Sequence, residues 1–485
     1  MSRNSSYRHI LKYTGLFGSL QAVNVLTSVL RNKAAAVLIE KYGQGISELF
    51  NSTINLINTA TTLVIPISII RRLSILYEKY GCHSTTLHHE IKAIRSWNLL
   101  CGIVAMIIVI ITAPLISQLT FDSPNFTRSY IFLSPMLVML SINTTEVAIL
   151  KATRRLKQLV KASLIGSIST LVICVICYYF WKLRGIVISF DLSLFVMMLL
   201  NLRQTISQYP YKLSLFNTRV LKKVTPLIKL SLSIILAAIA ASLAEYIIKA
   251  NISHSGSIEN VGLYSAGFAL TVTYTRFIFT AMDADYYPRL SACCTNLNFT
   301  NVAINRQITV CTNLITPFLI TFTLFLPYII PLIYTSKYLE IQPMIVYATF
   351  FVFGKALVTP VAYLALAHGD TKTYLMIEVY AALLLSVCVT IGYNIYGLAG
   401  CGIGLTASNF IESATILILY HKLYKIRFSL TTITAAICQF VLLSTAIYII
   451  NTTNGNMKYV IAATNVALSI CLSYYIFRKN DNNKS

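Results

Sequence analysis

Apolar residues run along this chain in stretches long enough to cross a bilayer, and the polar gaps between them are short. A membrane helix needs about 20 predominantly apolar residues. By that measure the pattern predicts helices near residues 12–38, 47–70, 97–118, 129–150, 162–181 and 185–206. After a basic stretch they resume near 226–250, 260–283, 308–334, 341–366, 372–396, 398–420, 430–450 and 457–477. The expected fold class is an all-α polytopic membrane protein of about 14 transmembrane helices.

Two of these segments interrupt the apolar pattern in an orderly way. In the second, Glu48, Asn51, Asn55, Asn58 and Thr62 recur at steps of three or four and share one helix face. Leu49, Ile54, Leu56, Ile57, Leu63, Val64 and Ile65 take the opposite side. In the first segment Gln21, Asn24, Ser28 and Arg31 form a similar stripe. Such faces cannot look at hydrocarbon. They either line a water-filled cavity within the membrane or hold helices together by interhelical hydrogen bonds. Four or five polar residues per helix exceed what packing usually needs, which favours the cavity.

Composition agrees with the pattern. The mean hydropathy is +0.69, 56% of residues are hydrophobic and 11% are charged, which excludes an ordinary soluble protein. Met1 to Lys12 is polar and basic, and the apolar run after it is long and lacks a small-residue cleavage site, so the first segment is expected to stay as a helix. Most of the 11 cysteines lie singly in apolar segments and read as small apolar residues. Cys174 and Cys177 form a CxxC at lipid depth without a second ligand pair, and His83, His88 and His89 sit in a polar loop; no metal site is expected.

Loop charge sets the topology. With the N-terminus inside, Arg71, Arg72, Lys79, Lys92 and Arg95 follow the second helix and Lys151, Arg154, Arg155, Lys157 and Lys161 the fourth. Arg203, Lys212, Arg219, Lys222, Lys223 and Lys229 follow the sixth, while Lys249, Lys337 and Lys458 stand singly on the other side. Roughly three basic residues fall inside for each one outside, so both termini are expected in the cytoplasm. The formal net charge of +23 then needs no nucleic-acid partner.

A weak internal repeat divides the chain. Gly45 precedes Arg72-Leu73-Ser74 by the spacing at which Gly262 precedes Arg289-Leu290-Ser291. Two blocks of six helices in the same orientation follow. The expected domains are residues 1–206, a basic linker 207–225, a second six-helix lobe 226–425, and two further helices with a tail in 426–485.

Ionised side chains inside spans cost about 2.5–3.5 kcal/mol each on insertion scales and ask for an explanation. Arg276, Lys355, Glu378 and Glu412, on helices eight, ten, eleven and twelve, fall at compatible depths given a rise of about 1.5 Å per residue. They either pair with one another to fix packing, or the two cations meet an anionic substrate while a glutamate exchanges a proton or sodium ion. Glu245 and Arg31, on helices seven and one, are candidates for a gate; snorkelling of Arg31 and Lys33 to the interface competes. Glu146 and Asp191 lie within spans without an evident partner. Thr273, Arg276, Thr280 and Asp283 give the eighth helix a polar face. Gly397, Gly400, Gly402 and Gly404 point to close helix contact at the start of the twelfth.

Absences narrow the function. There is no GxxxxGK[ST]. No loop exceeds roughly 30 residues, which disfavours a membrane glycosyltransferase or polymerase with a folded catalytic loop. Voltage-sensor and TVGYG-type filter patterns are also missing. No catalytic residues are expected.

The stretch from Lys12 to Ile57, KYTGLFGSLQAVNVLTSVLRNKAAAVLIEKYGQGISELFNSTINLI, resembles the start of bacterial O-antigen translocases. These are Wzx-type flippases of the multidrug/oligosaccharidyl-lipid/polysaccharide (MOP) exporter superfamily. The likeness extends to ADYYPRLS (Ala284 to Ser291) and LPYIIPLIYTSKY (Leu326 to Tyr338), patterns shared with lipid II flippases and drug antiporters. The resemblance implies two six-helix lobes around a central cavity, with two C-terminal helices beyond a twelve-helix pattern. It implies an undecaprenyl-diphosphate-linked oligosaccharide as substrate, carried from the cytoplasmic to the periplasmic leaflet of the inner membrane by alternating access. Arg276, Lys355 and Arg31 would offset the diphosphate's desolvation, since a unit charge pair at 4 Å gains about 4 kcal/mol at an effective dielectric near 20. Asn24, Asn51, Asn55 and Asn58 would bond sugar hydroxyls. Glu245, Glu378 or Glu412 would couple H+ or Na+, with no other cofactor. Membrane lipids and polysaccharide polymerase or assembly proteins are the further partners implied. A lipid II flippase, a cation-coupled drug exporter and a scaffold of an assembly complex are the competing readings.

Overall fold

The computed structural model describes residues 23–62, 66–214, 225–452 and 457–482. Within its helices the side chains of 67, 225–231, 274, 276–278, 280–284, 451, 477 and 479–482 lie outside the description. Gln21, residues 63–65 of the second predicted span, and 215–224 of the basic linker are therefore outside the described residues, as are the side chains of Arg276, Thr280 and Asp283.

The described chain is helical and contains no strand. Its first part comprises α1 (residues 23–38), α2 (Glu40–Thr61), α3 (Pro66–Tyr80), α4 (Thr85–Phe121), α5 (Thr127–Leu133), α6 (Pro135–Ala152), α7 (Leu156–Trp181) and α8 (Gly185–Ile206). Then follow α9 (Thr225–Ser255), α10 (Ile258–Phe268), a π-helical turn (Ala269–Thr273), α11 (Tyr274–Cys293) and α12 (Leu297–Ile333). The last four are α13 (Gln342–Ala367), α14 (Thr371–Tyr424), α15 (Leu430–Thr452) and α16 (Met457–Asn482).

Nine segments among the described residues are long and apolar enough to cross a membrane. Two of them, Leu156–Ile206 and Thr371–Tyr424, are double length. In α14 the turn is at Tyr396 and Gly397, the latter at φ +60°, where a side chain would be strained. The two arms of this hairpin then touch through backbone: a Cβ on Gly400 would stand 1.8 Å from the Gly392 carbonyl oxygen. The expected close helix contact is made here. The chain is thus a multi-pass, all-α membrane protein.

Some boundaries differ from the apolar pattern, and burial explains why. The third span begins at Thr85 rather than near 97, because Leu87, Ile91 and Ile94 pack with Ile69, Leu73, Ile149 and Tyr209 in a core beyond the apolar run. The second begins at Glu40, after a break at Ile39, and ends at Thr61. There Phe50 makes edge contacts with Phe121, Phe126 and Tyr130, and Thr53 bonds the Tyr130 hydroxyl at 3.1 Å.

By packing, the chain forms two compact units, Met1–Gly262 and Leu263–Ser485. This division differs from one by span count at 206 and 226 in leaving α9 with the first unit. The reason is local, since α9 packs on α2 and shares the ion pairs described below. Gly45 of α2 and Gly262 of α10, matched in the sequence repeat, face each other. A Cβ on Gly45 would stand 1.9 Å from the Ile258 carbonyl oxygen, and one on Gly262 would stand 2.3 Å from that of Lys41. Each glycine thus receives the carbonyl four residues before the other, a reciprocity expected of equivalent positions.

In the second unit Tyr286, Leu290, Ile304, Ile308, Val361, Leu364 and Ile416 belong to one buried cluster. The two terminal helices are held to α12 by a buried polar knot. Gln439 Nε2 donates to Asn313 Oδ1 at 2.7 Å, Ser469 Oγ to Gln439 Oε1 at 2.7 Å, and Ser473 Oγ to the Asn313 carbonyl at 3.0 Å. Apolar helices gain little from lipid exclusion, so such bonds fix their partner.

Asp370 caps α14, its Oδ1 accepting from the Thr373 backbone N–H at 3.1 Å, and its Oδ2 accepts from the Tyr424 hydroxyl at 2.9 Å. Donors from Thr373, first its side chain and then its backbone N–H, hold the carboxyl below its ordinary range. A depressed folded value stabilises above the unfolded one and is lost as pH falls through the folded one. Asp370→Ala should therefore cost about 1 kcal/mol at neutral pH, and the difference from wild type should vanish in acid; thermal melts across pH check this.

Candidate functional site

Several of the described charged side chains within the spans gather in separate clusters. In the second unit, α13 and α14 bring Lys355 against Glu412. The ammonium donates to Oε1 at 2.9 Å and to Oε2 at 2.8 Å. The pair lies on the wall of a cavity of about 840 Å³, with Glu378, Tyr287, Tyr363, Tyr374, Thr275 and Thr359. Its size falls within the range of about 300–1,000 Å³ typical of small-molecule sites. Lys355, Val358, Thr359, Ala362, Tyr363 and Leu366 come from one face of α13 by helical spacing, while Tyr374, Glu378 and Ala381 come from the start of α14. The Lys355 side chain remains 31% exposed, Glu412 only 12%. The ammonium also lies 5.6 Å from the Phe351 ring centroid. Val272 in the π-helical turn and Thr275 just after it complete the wall. Arg276 follows on α11.

In the first unit, Asn24, Thr27, Ser28 and Arg31 of α1 meet Ser163, Ser167 and Thr170 of α7 around a cavity of about 290 Å³. Ser167 Oγ donates to Asn24 Oδ1 at 2.7 Å. A second cavity of about 260 Å³ takes in Arg31 again, with Gln44, Glu48 and Asn51 of α2 and Ser193 of α8. The polar stripes of α1 and α2 thus do both things open to them: they line cavities and they bond neighbours. Asn55 is exposed and donates to Asn51 Oδ1 at 3.4 Å, and Asn58 Oδ1 accepts from Thr62 Oγ1 at 3.3 Å. Neither Asn55 nor Asn58 is on the wall of these two cavities.

Glu245, a gate candidate with Arg31 in the sequence, binds Lys249 of its own helix. Its Oε1 accepts from Lys249 Nζ at 2.6 Å, and the same ammonium donates to Glu48 Oε2 at 2.9 Å. Lys249, assigned by the apolar pattern to an external loop, is instead buried within α9 at 4% exposure. Two carboxylates make that burial tolerable. The i, i+4 spacing of Glu245 and Lys249 was the available signal. Glu48 was visible as part of a stripe, but its link to α9 was not.

Glu146 has a partner that sequence reading placed in a loop. Arg95 Nε and Nη2 donate to Glu146 Oε1 and Oε2, both at 2.7 Å, with side chains 1% and 0% exposed. Arg95 Nη1 donates to the carbonyls of Tyr209 and Pro210, each at 3.1 Å, and Thr205 Oγ1 donates to Glu146. This cluster ties the beginning of the linker to α4, α6 and α8. The tyrosines of the large cavity, Tyr287, Tyr363 and Tyr374, carried no sequence signal, because aromatic residues in apolar helices ordinarily pack in cores.

Comparison with known proteins agrees with this architecture. A family model described as polysaccharide biosynthesis protein matches residues 82–343, more than half of the chain. The lipid II flippase MurJ in an inward closed conformation is similar with a TM-score of 0.71 at 14% identity, over 97% of this chain and 99% of that one. An inward-facing multidrug resistance MATE family transporter of the MOP superfamily gives 0.65 at 15% identity, over 89% and 96%. A MOP superfamily transporter from Pyrococcus furiosus gives 0.57 at 16% identity, over 91% and 97%. A search among curated proteins returns no match. The resemblance to the MOP superfamily is borne out at the level of family and fold: the chain belongs to the polysaccharide biosynthesis protein family and has the fold of the MOP superfamily transporters.

Proposed function

We propose that this protein is a flippase for lipid-linked oligosaccharides, carrying undecaprenyl-diphosphate-linked repeat units from the cytoplasmic to the periplasmic leaflet of a bacterial inner membrane. The observation that carries the reading is the large cavity, where an ammonium, tyrosine rings and hydroxyls share one wall. A diphosphate needs a cation where water is scarce. Sugars suit ring faces and hydroxyl partners, and the lipid tail can stay in the bilayer. The excess of basic residues in alternate loops supports cytoplasmic termini. Alternating access moves the head group, and H+ or Na+ exchange at Glu378 or Glu412, with Glu245 as a third candidate, supplies the coupling.

Expression in a bacterium lacking its own O-unit flippase tests this. Restored surface polymer and fewer lipid-linked units retained inside are expected. Lys355→Ala or Arg276→Ala should lower export about tenfold or more, as loss of a charge-assisted bond implies. Export unchanged in both variants would make the cationic cavity wrong. A lipid II flippase depletion strain separates that branch. Glu378 and Glu412 favour one other reading, a cation-coupled drug exporter, against which Lys355 counts; drug resistance unaltered by expression removes it.

A further inference from the structure

We infer that Glu412 stands in for the substrate's diphosphate: it holds the Lys355 ammonium while the cavity is empty, and a phosphoryl oxygen displaces it, leaving the carboxylate to take up a proton. The inference rests on the flippase reading and names the change of charge partners that substrate binding sets off at that site.

The geometry points this way in three respects. Both oxygens of Glu412 converge on one nitrogen, at 2.9 and 2.8 Å, so the carboxylate grips the ammonium as an incoming anion would. The cation is the more accessible member of the pair, 31% exposed against 12%, so a ligand in the cavity reaches Lys355 before Glu412. A lysine ammonium has three donors on a flexible stem and can turn from one acceptor to another without loss of charge.

Charge balance supplies the proton. Among the described side chains that line the cavity, Lys355 is the one cation, and Glu378 and Glu412 are carboxylates. A diphosphate entering that set would add negative charge beside the two carboxylates. A carboxylate that loses its cation in a confined, partly apolar site favours its neutral form. The titratable groups that line the cavity with Glu412 are Lys355 and Tyr363 of α13, Glu378 and Tyr374 of α14, and Tyr287 of α11, and Lys355 is bonded to it. The proton comes from the buffered medium, the ammonium keeps its own, and no covalent bond of the substrate changes. Release of the diphosphate returns Lys355 to Glu412 and expels the proton.

The test uses the full-length protein in detergent, with farnesyl diphosphate as a short isoprenyl diphosphate probe. Calorimetric titrations in two buffers of different ionisation enthalpy count the protons taken up. Wild-type protein should take up about one proton per diphosphate bound near neutral pH. Glu412→Gln should bind about tenfold tighter, since the competing carboxylate is gone, and should take up none. Lys355→Ala should lose binding. Should the Gln variant fail to fold, Glu412→Asp, with a shorter and looser grip, should bind more tightly than wild type while keeping the proton. A Glu412→Gln variant with wild-type affinity and proton count overturns the exchange and leaves the flippase reading standing. So does wild-type protein that binds no diphosphate yet restores surface polymer. Absence of both binding and polymer overturns the two together.

Discussion

Arg95→Ala should destabilise the first unit by about 3–5 kcal/mol, the cost of stripping one partner from a buried ion pair. The guanidinium is 1% exposed and uses Nε and both terminal nitrogens: two bonds to Glu146, two to the carbonyls of Tyr209 and Pro210. Without it Glu146 keeps the Thr205 hydroxyl alone among its side-chain donors, and two carbonyls lose their donor. The Tyr211 ring, whose centroid lies 4.9 Å from the guanidinium, also loses its cation. Thermal unfolding of the purified protein, followed by labelling of buried thiols such as Cys174 and Cys177, reads the effect. Replacing both members by apolar residues, Arg95→Met with Glu146→Leu, should recover much of the loss, because the buried charge is then removed rather than abandoned. A midpoint unchanged in Arg95→Ala would mean that the guanidinium is not what holds the linker.

Gly45→Val is the second large effect, expected near the upper end of the 1–3 kcal/mol typical of overpacking, about 3 kcal/mol. The clash is with backbone: the first added carbon falls 1.9 Å from the Ile258 carbonyl oxygen, which has no rotamer by which to retreat. α2 and α10 must separate, and with them the arrangement that places Glu48 beside Lys249. Gly262→Ala meets the Lys41 carbonyl at 2.3 Å and should act in the same direction. Because both substitutions open one contact, their combined cost should be less than the sum. Melting midpoints of the two single variants and the double variant test this; full additivity would show that the two glycines do not share a contact.

The candidate site was legible in its parts. Lys355, Glu378 and Glu412 stood out as charges at one depth, and the structure sets them on one cavity wall. That Lys355 and Glu412 grip each other was not legible, because 57 residues separate them and spacing along a helix says nothing across such a gap. The bond of Glu245 is to Lys249 one turn along its own helix, a spacing present in the sequence.

The sequence by itself determined the all-helical, many-spanning character of the chain and the place of most spans. The sixth is Gly185–Ile206, and the eleventh and twelfth meet at Tyr396 and Gly397, as the apolar runs predict. The reason is that the bilayer acts on each segment separately, through length and hydropathy alone. Only the tertiary structure decided that α4 starts at Thr85, that Lys249 is buried, that Arg95 belongs to Glu146, and that α9 packs with the first unit. These depend on which polar groups meet once helices are packed, and burial of a charge is permitted or forbidden by its partner rather than by its neighbours in the chain.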